Sequence, residues 1–498
     1  MMSEKLRRVR AFEAEHLPAA AAALPWYHVT GGVGWINDPN GFSLYKGEYH
    51  LFFQYHPYDN HWGPMHWGHV KTRDFVRWER LPAALAPDEA YDQDGCFSGS
   101  ALELPDGRHL LLYTGVRKER DEDGTEREFQ TQCIAFGDGT EYEKYPQNPV
   151  ITAADLPPEG SARDFRDPKI WREGDVYRAV AGNRMPDGSG AVLLFESDDL
   201  RAWRYLGILA ASGRRRGRMW ECPDFFPLDG KDVLLVSPQE MKAEGLEFLE
   251  GNVTLCLVGW FDREHSRLIR EREQTIDYGL DFYAPQTVQT ADGRRIMIAW
   301  MQYWNSVDCP PEDLPFFGQM TVPRELRVRD GRLLQTPVRE LAAYRGEKRE
   351  YCDVPLSGDL ALPGVRGRCL DMTVTVRPAE GEMYQSFRLD VARDEENVVS
   401  ILYRPASGTV RVDRTRSGYP GNVLNVREFA VRERDGAIRL RVLLDRYSLE
   451  LFVNDGEQAA SFTVYTKASA DGIIFNTVGS ARIDVEKYEL EFGDERSV

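Results

Sequence analysis

The chain has 498 residues, 42% of them hydrophobic and 11% aromatic, and a formal net charge of −18. That length supplies core for two or three domains, and the apolar content excludes a disordered chain. The negative balance speaks against nucleic acid or an anionic membrane face as partners, because both select positive surfaces; a neutral small molecule is compatible with it.

Residues 3–16 read as a helix within an N-terminal lead-in of residues 1–23. The alanines of 19–23 follow Glu4, Glu13 and Glu15 and lie between Pro18 and Pro25, which makes a poor secretory signal. No stretch approaches the ~20 apolar residues of a membrane span. The expected location is therefore cytoplasmic. The seven cysteines are scattered singly with no Cys-x-x-Cys pair; they fit a reducing compartment and suggest neither a zinc site nor a disulfide framework.

From residue 24 to 330, short β runs alternate with Gly, Pro, Asn and Asp, among them Tyr49–Tyr55, His109–Gly115, Ala191–Ser197, Val233–Ser237 and Arg295–Met301. This spacing predicts an all-β sandwich, barrel or propeller, and periodicity does not choose among them. Asp330-Gly331-Arg332 and the charged residues 345–349 read as a linker over 331–350. Alternating strands resume over 351–498, with Asn454-Asp455-Gly456 as a hairpin turn, and predict a C-terminal β-sandwich. Its exposed edges would permit a homodimer.

Three acidic sites interrupt the first region. In Trp35-Ile36-Asn37-Asp38-Pro39-Asn40-Gly41, Pro39 removes a backbone donor and turns Asp38 from helical geometry, and Gly41 permits a tight turn. Phe165-Arg166-Asp167-Pro168 repeats the Asp-Pro step, and Trp220-Glu221-Cys222-Pro223 sets a glutamate among aromatic residues. Singly, each reads equally well as a turn or strand-edge carboxylate. Four of the nine histidines crowd into His56, His61, His66 and His69, but Pro57, Gly63, Pro64 and Gly68 break the segment. Packing in an aromatic wall is the expected role, and no metal is expected. No phosphate loop or nucleotide motif appears, so no cofactor is expected. Arg214-Arg215-Arg216-Gly217-Arg218 reads as a solvated loop or, on a sharper reading, as a hold for a phosphate on the substrate.

In their order, Asn37–Gly41, Arg166–Pro168 and Glu221–Cys222 resemble the three signature boxes of glycoside hydrolase family 32, the invertase and β-fructosidase family. His50–Tyr55, Trp62–His69, Cys96–Ser100, Asp281–Thr287 and Asp445–Phe452 are family-like as well. The resemblance implies an all-β chain with a five-bladed propeller followed by a β-sandwich, the acidic boxes converging from different blades. It implies Asp38 as nucleophile, Glu221 as acid/base and Asp167 as a third carboxylate gripping fructose hydroxyls. It places Asn37, Gln54, Trp62, Phe97, Ser98, Arg166, Tyr283 and Trp304 around the sugar, with Trp300 a near neighbour that could stand in for Trp304. The chemistry is self-consistent: two carboxylates flanking the scissile bond suffice for glycoside hydrolysis, one attacking while the other delivers a proton.

The expected activity is retaining hydrolysis of terminal β-D-fructofuranosides, with sucrose or sucrose 6-phosphate leading. An exo-acting inulinase or levanase, fructosyl transfer, and a non-catalytic fructoside-binding propeller stay open. One departure stands out. Before Thr321-Val322-Pro323-Arg324, where many members carry Gly-Trp-Ala-Gly, this chain has Phe316-Phe317-Gly318-Gln319-Met320, which leaves the leaving-group rim undetermined.

Overall fold

Between Gly34 and Pro337 the computed structural model lays out five antiparallel sheets of four strands in chain order, the first of them extended by the short parallel strand Phe316–Phe317. It describes residues 2–121, 123–307, 310–419 and 423–493; Cys309 and the terminal residues 1 and 494–498 lie outside these. The first strands of the sheets are Gly34–Tyr45, Gly95–Glu103, Phe165–Glu173, Met219–Leu228 and Tyr283–Gln289. Each touches the next, and the fifth touches the first. The sheets are thus the five blades of a propeller with these strands innermost. Neighbouring blades pack face to face: Leu110, Leu112 and Ile134 of the second meet Ile170, Ala179 and Leu193 of the third.

Inner strands are buried on both faces, as in Gly34–Tyr45, where every residue but Leu44 is buried, so their sequences do not alternate. All five break register against their neighbours at one level. The bulged residues are Asn37 and Asp38, Ser98, Asp167 and Pro168, Cys222 and Pro223, and Ala284 and Pro285. Proline suits these places because a bulged residue leaves the hydrogen-bond ladder. Asp167, Cys222 and Ala284 adopt positive φ of 63°, 47° and 51°, a strained region for residues other than glycine.

The bulges free backbone N–H groups, which need other partners. Side chains of neighbouring strands supply them. Asn40 Oδ1 accepts from Gly99 N at 3.2 Å, Thr114 Oγ1 from Asp167 N at 3.0 Å, Asp167 Oδ2 from Cys222 N at 3.0 Å and Ser237 Oγ from Ala284 N at 3.0 Å. The motif residues are therefore tied to one another around the axis.

The segment 331–350, expected as a linker, is structured. Asp330-Gly331 is a hairpin turn, and Arg332–Pro337 is the outermost strand of the fifth blade. Strand pairing, which a local composition shift does not reveal, overrides the linker reading. A 3-10 turn, Arg339–Tyr344, then leads into the sandwich strand Arg345–Leu360; we propose that the domains divide at 338–344.

The C-terminal strands form one sheet folded over itself. Gly472–Leu490 pairs with Tyr384–Arg393 through its first half and with Leu370–Pro378 through its second, passing from one layer to the other. Phe387, Ile401 and Val412 of one layer and Met372, Val442 and Leu451 of the other share a core. The hairpin at Asn454-Asp455-Gly456 forms as expected. The terminal strands of the sheet both meet the propeller, Ser461 bonding Asp277 and Arg427 bonding the carbonyls of Leu246 and Glu247. Those edges serve the contact within the chain.

The N-terminal helix runs from Glu4 to Ala20, a turn beyond the expected end. Pro18 falls in its last turn. Ser3 caps its start, and Arg10 and Glu13 bond the backbone of Ala83, covering the outer strand of the first blade.

Candidate active site

At one end of the propeller axis a cavity of about 360 Å³ opens over the bulged level. Asp38, Asp167 and Glu221 all line it, from the first, third and fourth blades. Cys222 links them: its N–H donates to Asp167 Oδ2 at 3.0 Å, its thiol to Asp38 Oδ2 at 3.4 Å, and it follows Glu221 in sequence. Ser98 Oγ donates to the same Asp38 oxygen at 2.7 Å, while Asp38 Oδ1 has no hydrogen bond of good geometry.

Glu221 is held from both sides. Arg166 donates to Oε1 through Nε at 3.0 Å and Nη2 at 2.9 Å, and the Tyr283 hydroxyl donates to Oε2 at 2.5 Å. Arg166 lies 3.9 Å from Asp167, so its fork serves Glu221 rather than orienting Asp167. Tyr283, expected at the sugar, is 1% exposed and stands behind Glu221, outside the cavity lining.

Burial pushes Asp38 upward, and the charge of Glu221 adds to this; donors from Ser98, Asn37 and Cys222 work against both. Burial likewise raises Asp167, to about 7, with Arg166 opposing and the charges of Glu221 and Asp38 reinforcing. Crowded carboxylates of this kind share protons as a group, and they favour a positive charge developing between them.

The remaining expected residues, Asn37, Gln54, Trp62, Phe97, Ser98 and Trp304, all line the cavity. Gln54 Nε2 donates to the Cys96 carbonyl at 3.0 Å. Trp62, 47% exposed, stands edge-on to Phe97 at the mouth. Trp300 is fully buried beneath Trp304, 5.0 Å between ring centroids, which settles which of the two faces the cavity. The Phe316–Phe317 segment pairs in parallel with Gly34–Trp35 and does not reach the lining.

Sequence reasoning missed Thr114, Gln130, Arg163, Asp164, Gln239 and Asn252. Thr114 acts through the backbone of Asp167, and Gln130 accepts from Phe165 N at 2.9 Å. A signal for the strand register existed, since Asp38-Pro39, Asp167-Pro168, Cys222-Pro223 and Ala284-Pro285 repeat one step in four of the five inner strands.

The arginine run does not line the cavity. Arg216 is 5% exposed and bonds Glu273 and Glu244, while Arg214 and Arg218 approach Asp187 and Glu240 at 3.5 and 3.4 Å. His69 stacks on Phe52 and bonds His50 at 2.9 Å; burial pushes both below their ordinary range, so they are neutral packing groups.

Comparison with known proteins agrees with this geometry. Residues 28–337 match the glycosyl hydrolases family 32 N-terminal domain, and residues 340–490 match its C-terminal domain. A raffinose invertase of Escherichia coli is 38% identical over 455 residues, 90% of each chain. A sucrose-6-phosphate hydrolase of Zymomonas mobilis is 36% identical over 485 residues, 92% of this chain and 90% of its own. Among solved structures, a mutant GH32 β-fructofuranosidase of Bombyx mori in complex with sucrose superposes with a TM-score of 0.83 at 33% identity, covering 100% of both chains. Matched along both domains, with the signature carboxylates gathered at one cavity, the chain belongs to glycosyl hydrolase family 32.

Proposed function

We propose that this enzyme is a β-fructofuranosidase that hydrolyses terminal non-reducing β-D-fructofuranosides, sucrose or sucrose 6-phosphate, with retention of configuration. The convergence of Asp38, Asp167 and Glu221 on one cavity, locked together through Cys222, carries this reading. In the first step the Asp38 carboxylate attacks the anomeric carbon. The bond to the departing sugar breaks, and Glu221 delivers a proton to the leaving oxygen. Glu221 then takes a proton from water, which attacks the same carbon and releases Asp38. Asp167 accepts hydrogen bonds from fructose hydroxyls, and the carboxylate cluster stabilises the oxocarbenium-like charge. Arg166 and Tyr283 set the position of Glu221, and Trp62 and Trp304 supply apolar faces for sugar rings.

The six described cysteines are all unpaired thiols, which supports a cytoplasmic location; no helix among the described residues is long and apolar enough to cross a membrane. Initial rates on sucrose, sucrose 6-phosphate, 1-kestose and inulin, with Asp38→Ala as control, test the proposal. Hexose release that depends on Asp38 supports it, and wild-type rates no higher than those of the variant on every substrate would remove it.

A further inference from the structure

We infer that the leaving-group side of this cavity is built for an uncharged sugar, and that the enzyme discriminates against a substrate whose glucosyl unit carries a phosphate. This rests on the proposed fructosidase activity and specifies its substrate class.

Charge is unequally distributed around the cavity. Carboxylates line it at Asp38, Glu128, Asp164, Asp167 and Glu221, against guanidinium groups at Arg163 and Arg166, and no lysine or histidine contributes. Arg166 is already engaged, with two hydrogen bonds to Glu221 and Asp164 3.6 Å from its Nη1. It cannot turn to a phosphate without releasing the acid/base. Arg163 is exposed and, among the described residues, is the one lining cation with no carboxylate partner. The basic run at residues 214–218 does not line the cavity, and its Arg214, Arg216 and Arg218 face Asp187, Glu244 with Glu273, and Glu240.

The two carboxylates beyond the catalytic trio are only partly neutralised. Glu128 accepts from Gln130 Nε2 at 2.7 Å and has Lys118 no closer than 3.8 Å. Asp164 accepts from Ser161 Oγ at 3.2 Å. The other polar lining near them is carboxamide, from Gln130, Gln239 and Asn252. Amides exchange hydrogen bonds with hydroxyls, whereas bidentate guanidinium forks are the usual answer to a phosphate. A dianion entering the cavity meets, in its lining, one free arginine and a surplus of negative charge. The repulsion acts across the solvated mouth, so salt weakens it.

The test compares kcat/KM for sucrose and sucrose 6-phosphate at about 20 and 300 mM ionic strength, in wild type, Glu128→Gln and Arg163→Ala. We expect sucrose to be preferred about tenfold or more at low salt, with the preference narrowing at high salt. Glu128→Gln should raise the phosphate-to-sucrose ratio several-fold, and Arg163→Ala should lower it. Hydrolysis of sucrose with equal or greater efficiency on sucrose 6-phosphate overturns the inference while leaving the fructosidase reading intact. A preference insensitive to salt and to Glu128→Gln also overturns it, since the discrimination would then be steric. Hydrolysis of neither substrate brings down the fructosidase reading and this inference with it.

Discussion

Replacing His28 by glutamine removes a cation from the contact between propeller and sandwich. His28 is fully buried, with Nδ1 2.8 Å from Asp445 and Nε2 2.9 Å from Glu450. Around it, Tyr27 donates to the Leu444 carbonyl, and Arg324 bridges Glu450 at 2.6 Å and Asp277 at 2.8 Å. Burial alone disfavours the imidazolium, yet its hydrogen bonds to Asp445 and Glu450, and their charges, outweigh this and raise its pKa from 6.5 to about 9. A folded-state pKa above the unfolded one stabilises fully below pH 6.5, and that stability is lost as pH rises through about 9. At 1.36 kcal/mol per pKa unit this is about 3 kcal/mol. Urea unfolding of wild type and His28→Gln at pH 6, 7.5 and 9.5, followed through the first transition because the chain has two domains, reads the effect. The wild-type advantage should be largest at pH 6 and shrink by about 3 kcal/mol by pH 9.5. An advantage that stays constant across this range would refute the charged bridge.

Other expectations follow from the bulged level. A Cβ on Gly182 would sit 2.1 Å from the Trp220 carbonyl, and Gly182 pairs with Arg166; Gly182→Ala should therefore part Arg166 from Glu221, costing about 1–3 kcal/mol in thermal stability and more than tenfold in kcat. Tyr283→Phe removes the 2.5 Å bond to Glu221 and should lower kcat about 10- to 100-fold with little change in KM, as loss of one charge-assisted hydrogen bond predicts. Because burial and its neighbours raise Asp167 to about 7, its stabilising contribution is lost as pH rises through that value. Asp167→Asn should then be more stable than wild type at pH 8 while losing activity; equal denaturation midpoints at pH 8 would contradict this.

The three acidic boxes were legible because each combines a carboxylate with an amide, arginine or cysteine beside a proline or aromatic residue, a local pattern. Their roles as bulges were not, because a bulge is defined by the partner strand: Asp167 depends on Thr114, and Ala284 on Ser237. Tyr283 was placed at the sugar because a box residue reads as facing the site, whereas its strand turns it toward Glu221. Arg214, Arg216 and Arg218 looked available because their acids, Asp187, Glu240, Glu244 and Glu273, lie outside the run. Asp445 and Glu450 carried a signature, yet their cation is His28, whose pairing no local spacing reveals.

The covalent role of Asp38 is tested most directly by hydrolysing sucrose in dilute methanol and resolving the first-formed fructoside by NMR. Methyl β-D-fructofuranoside should appear with wild type, and both it and free fructose should fall by on the order of 10³-fold or more with Asp38→Ala. An α-configured product, or turnover that survives the loss of Asp38, would contradict a double displacement at this cavity.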